Sequence, residues 1–85
     1  MPVSEQPMVE RIARVLAASA LSSNAEGSDP SAADKIDLAW REHVNQAVAV
    51  LHTMREADSR MASAGDAAAW TKMVETAIEE AGVSA

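Results

Sequence analysis

"IDLAWREHVNQAVAVLHTM", residues 36–54, carries most of the large apolar side chains in the middle of the chain. Stepped at 100° per residue from Ile36, the side chains of Trp40, His43, Val44, Ala47, Val48, Val50, Leu51 and Met54 fall within about 160° of arc. Leu38, Glu42, Asn45 and Ala49 lie opposite. This is the period of one amphipathic helix, and no alternating strand pattern competes with it. Its upstream limit is set by "SDP", where Asp29 reads as a cap and Pro30 as the first helical residue. The spacing therefore predicts one long helix over residues 30–56.

Three further helices follow from the same reasoning. Before the long helix, Met8, Ile12, Val15, Leu16 and Ser19 share one face, widened by Val9, Ala13 and Ala20. With Ser4 as the cap and Pro7 in the first turn, they predict a helix over 5–21. The Ser-, Asn- and Gly-rich residues 22–29 read as a loop. After the long helix, Asp58 and Gly65 bracket a short helix over 58–64, although Met61 also sits on the stripe of Met54 and would suit an unbroken helix to Ala64. Asp66 and Gly82 bracket the last helix, 66–81, with Trp70, Met73, Val74, Ala77, Ile78 and Ala81 on one side. The expected fold is all-α: a three-helix bundle with an extra short helix before the last, forming a single domain over 1–85. Its expected core is Ile12, Leu16, Ile36, Trp40, Leu51, Met54, Trp70, Val74 and Ile78.

Composition narrows what such a bundle can do. The chain has 85 residues, with 5 Met, 2 Trp and no Phe or Tyr. Almost half of its apolar residues are Ala, which favours helix but adds little burial. Each Trp can bury about 200 Å², so the two are expected to carry a large share of the core. Cys is absent, which removes disulfides, thiolate metal sites and Cys nucleophiles. The formal net charge is −6, and the seven cations are dispersed, so a phosphate backbone would be repelled. Residues 58–81 have the helix, turn and helix of a DNA reader, but the last helix sets Lys72 against Glu75, Glu79 and Glu80. No basic segment followed by an apolar one opens the chain, and the longest uncharged stretch, 43–54, is too short to span a bilayer. A cytoplasmic protein that binds neither membrane nor nucleic acid is expected.

Catalytic and metal constellations do not emerge. His43 and His52 are nine residues apart and fall on opposite faces of the long helix. The residues three before them are Trp40 and Ala49, so the Glu-x-x-His pattern of helical metal sites is missing. No nucleophile elbow, phosphate-cradling glycine loop or H-E-x-x-H motif occurs. The carboxylates read as solvated faces, and His43 as a hydrogen-bonded residue at the edge of a core. No metal, cofactor or catalytic residue is therefore assigned. Met8, Met54, Met61 and Met73 read as fillers of an irregular Ala-rich core, with a partner groove as the alternative that suits methionine.

Leu21, Leu38 and Val50 lie off the main stripes or at their margin, which makes them the candidate partner contacts. The expected function is a small non-catalytic module that binds another protein or itself. Two other readings are a bundle that binds a small apolar ligand between its helices, and an acidic mimic of nucleic acid. The order Trp40-Arg41, Ala47, Met54-Arg55-Glu56, Met61, Ala64-Gly65, Trp70 and Met73 resembles a group of small uncharacterised bacterial proteins, often encoded in or near prophage regions. The likeness spans about residues 8–81, and members of that group tend to have Pro where this chain has Ala57. It implies a helical domain in a bacterial or phage-derived setting, and it implies no site.

Overall fold

The computed structural model describes residues 3–24 and 32–82. Helices account for most of them: α1 (Met8–Asn24), α2 (Ala32–Ala39), a 3₁₀ turn (Trp40–His43), α3 (Val44–Met54), α4 (Ser59–Ala64) and α5 (Ala67–Glu80). The architecture is the expected all-α bundle. The rod α2–3₁₀–α3 lies between the other two, with α1 packed along its whole length and α5 on α3.

Local chemistry explains where most of these helices begin and end. α1 starts at Met8 and not at residue 5, because a residue preceding Pro is pushed out of the helical region. The Pro7 carbonyl instead accepts the first helical bonds from the Glu10 and Arg11 N–H groups. Ser4 is not the cap; its Oγ accepts from the Gln6 N–H at 3.1 Å in a local turn. At the other end α1 runs to Asn24, so residues 22–24 of the expected loop are helical. The expected Asp29–Pro30 start lies outside the described residues. Asp58 and Asp66 cap α4 and α5, accepting from Met61 N–H at 2.9 Å and Ala69 N–H at 3.1 Å. Gly82 follows α5 with φ +67°, the left-handed conformation that ends a helix at little cost only for glycine.

The long helix is not continuous. A 3₁₀ residue advances about 120° against about 100° in an α-helix, so four of them turn the upstream segment by roughly 80°. Ile36 consequently leaves the line of the α3 stripe and is half-buried outside the core cluster. Asp37 is brought to α1, where its Oδ1 accepts from Arg14 Nη1 at 2.6 Å. The rod also stops at Met54 and not at residue 56, and the chain breaks before Asp58. Two side chains of α5 account for that stop. Trp70 Nε1 donates to the Met54 carbonyl at 2.6 Å, and Thr71 Oγ1 donates to the Arg55 carbonyl at 2.8 Å. They satisfy acceptors that a helix end leaves without partners.

The core is smaller and more alanine-rich than expected. Its buried members are Val9, Ala13, Ala47, Leu51, Val74 and Ala77. Leu51 is the largest fully buried side chain. Ile12, Leu16, Trp40, Met54, Trp70 and Ile78 pack around this centre and are only partly buried. Small residues at the contact of α1 and α3 bring the backbones close, which leaves bulky side chains at the rim. α1 is also rolled relative to its expected face: Val9, Ala13 and Ala17 are buried, whereas Val15 and Ser19 are exposed.

Two substitutions test this packing. Trp70→Phe keeps an aromatic ring but removes the donor to Met54, and should cost about 1 kcal/mol, a melting temperature lower by roughly 4–8 °C. Ala47→Leu forces a larger side chain into a site with 0% exposure, and should cost about 1–3 kcal/mol. Thermal denaturation followed by circular dichroism measures both; an unchanged melt for Ala47→Leu would mean that the helices are not in close contact there.

Candidate interaction surface

The residues left over from this small core define the surface. Among the described residues, Val3, Met8, Val15, Leu38, Val50, Met61 and Met73 are large, apolar and exposed. Their placement follows from the helix ends described above. The Trp70 bond to the end of α3 fixes the rotation of α5, and Val74 and Ala77 then face inward. Met73 lies about 100° from Val74 on the helical wheel and is 69% exposed. It therefore leaves the inward face on which it was expected.

Met73 forms part of two grooves that meet at it. The first, about 370 Å³, runs between α4 and α5 and is lined by Ala57, Met61, Ala64, Ala69, Trp70 and Met73, with Asp66 at its end. The second, about 570 Å³, lies between the start of α1 and the end of α5, and includes Val3, Met8, Arg11, Met73 and Glu80. Met8 also borders a third depression along α1 with Ile12 and Val15. The exposed apolar side chains of the two chain ends thus form one band across the molecule, centred on Met73. α4 contributes to it as an outrigger, since each of its residues is exposed.

The sequence candidates lie elsewhere. Leu38 is 81% exposed on α2, Val50 is 37% exposed on α3, and Leu21 is half-buried in α1. None of the three lines the grooves at Met73. Met8, Met61 and Met73 are exposed rather than core fillers, whereas Met54 is packed against the core. The signal that distinguishes Met73 is its line along α5: Ala69, Thr76 and Glu80 occupy the same side, and Asp66 caps its start. That side is polar at both ends, unlike the stripe of Val74 and Ile78.

The charged cluster around Arg14 joins α1 to the rod. Arg14 Nε contacts Glu10 Oε2 at 3.0 Å, and its Nη1 reaches Asp37 across the gap to α2. These bonds, that to Asp37 first and that to Glu10 next, hold the guanidinium above its ordinary pKa. The guanidiniums of Arg14 and Arg41 lie over the Trp40 ring at 5.4 and 4.6 Å from its centroid. Trp40 thus acts as a half-buried platform that fastens α1 to the 3₁₀ turn. His43 Nδ1 lies 2.8 Å from Gln46 Oε1, so a protonated Nδ1 donates to the amide within the same rod. Arg14 thus ties α1 to α2 and to the 3₁₀ turn, while the Glu10, Arg41 and His43 contacts stay within α1 or within the rod.

Among the described residues, no three His, Asp or Glu side chains converge as a metal site would require. Nor is any helix among them long and apolar enough to cross a membrane. No protein family, curated protein or solved structure matches the chain.

Proposed function

We propose that this chain is a small non-catalytic interaction module whose partner docks on the band centred on Met73. The observation that supports this reading is the exposure of Met73 between two apolar grooves, while the core beneath it consists mainly of Ala and Val. Methionine suits such a surface because its unbranched thioether adapts to varied shapes. A domain with so few large buried residues also gains from the apolar area that a partner covers. The bacterial or prophage-linked, cytoplasmic setting is part of the same proposal, and rests on the spacing from Trp40 to Met73.

A small apolar ligand fits the surface less well. Ligand pockets bury about 70–90% of their occupant. The groove beside Trp70 is a trough between two short helices, open to solvent, and would leave a small molecule wet on one side. An extended or helical protein segment uses a trough of this kind more fully.

Affinity capture of a tagged chain from its native cell tests the proposal. Met73→Arg replaces an exposed side chain, so its melting should shift by no more than about 0.5 kcal/mol in stability. It should nevertheless lose the proteins that the wild type retains, and Leu38→Arg should keep them. Retention by Met73→Arg together with loss by Leu38→Arg would move the docking surface to α2.

A further inference from the structure

We infer that the occupant of the Met73 band is an amphipathic helix from another protein, with basic residues flanking its apolar stripe, and not a second copy of this chain. This inference rests on the reading of the band as a docking surface and adds the chemistry of the partner. It comes from how charge is arranged along α5. Asp66, the cap of α5, and Glu80, in its last turn, stand seven residues before and after Met73. They are about 21 Å apart along the axis at roughly 1.5 Å per residue. Both line the grooves that meet at Met73. One carboxylate therefore lines each of the two grooves that meet at Met73, and their separation suits a helix of about four turns.

The same symmetry disfavours self-association. If two copies of α5 met in antiparallel fashion at Met73, Asp66 of each would face Glu80 of the other. A parallel pairing would set Asp66 against Asp66 and Glu80 against Glu80. Either arrangement places like charges together at both ends, in a chain whose net charge is already −6. A helix with Lys or Arg at those two positions instead meets opposite charge twice.

The end of α5 also favours a basic partner. Its last turn holds Glu79 and Glu80 and no basic residue, so two carboxylates sit at the negative pole of the helix. A cation brought there by a partner relieves that repulsion. Cations do border the band: Arg11 faces the Glu80 end from α1, and Lys72 flanks Met73 on α5. At the Glu80 end the single guanidinium of Arg11 meets two carboxylates in the last turn of α5, Glu79 and Glu80.

Three synthetic helical peptides of about 18 residues, free of Trp and sharing one Leu/Ala stripe, provide the test. They carry Lys, Gln or Glu at two positions matched to Asp66 and Glu80. Binding is read from the fluorescence of the folded chain and from light scattering. The Lys peptide should bind at least about tenfold more tightly than the Glu peptide at low salt, and this gap should shrink as salt is added. Met73→Ser should weaken all three peptides. The double variant Asp66→Asn/Glu80→Gln, in which Asn preserves the cap of α5, should weaken only the Lys peptide, by about three- to tenfold. Equal, Met73-dependent binding of all three peptides would overturn the charge rule while leaving the docking surface in place. Dimerisation that Met73→Ser abolishes would make a second copy the occupant. If no peptide bound and the chain stayed monomeric, both the partner and the docking surface would be refuted.

Discussion

The end of α3 is the constraint on which the rest of the molecule turns. A helix leaves its last carbonyls without internal partners, and here side chains from the first turns of α5 donate to two of the carbonyls at that end. The Trp70 indole N–H and the Thr71 hydroxyl reach the Met54 and Arg55 carbonyls, sixteen residues away in sequence in each case. These bonds do more than terminate a helix. They fix how α5 is rotated against α3 and which of its residues face inward. Val74 and Ala77 are buried as a result, and Met73 is turned to solvent. The short connection through α4 is then held at both ends, by the Asp58 cap and by the Asp66 cap.

Alanine gives the bundle its particular balance of stability and surface. Ala13, Ala17 and Ala47 are essentially inaccessible, and they let α1 approach the central rod closely. Each contributes little transfer free energy, at about 25 cal/mol per Å² of apolar area removed from water. The larger side chains that would usually supply that term are displaced to the rim, as Trp40 and Trp70 are, or into solvent, as Met61 and Met73 are. Polar fastenings at the rim act together with the thin core: the Arg14 bridge to Asp37, the guanidiniums over Trp40 and the indole bond of Trp70. The exposed apolar band is thus the counterpart of a core built from small residues.

Features set by neighbouring residues were legible in the sequence. The Asp58 and Asp66 caps and the stop at Gly82 appear where their residue types announce them. Pro7 was legible too, but its effect on Gln6 delays α1 where a capping Ser4 would have begun it earlier. Features decided by distant contacts were not legible. Residues 39–43, Ala-Trp-Arg-Glu-His, contain no Gly or Pro, so nothing local announces the 3₁₀ turn. That turn displaces Ile36 from the stripe and sends Asp37 to Arg14. The surface followed the same division. Leu38 was recognisably outward-facing, since it opposes the stripe whatever the break does. Met73 belonged to an inward face by spacing alone, and only the rotation imposed through Trp70 shows it to be free.

Hydrogen exchange at the Trp70 indole N–H, followed by NMR, tests this account most directly. If that N–H holds the end of α3, its resonance persists after transfer to heavy water and decays only with the opening of the bundle, in step with the slowest amides of α3 and α5. If it exchanges at the rate of a free indole while those amides stay protected, the bond to Met54 does not fix α5, and the orientation of Met73 has another cause.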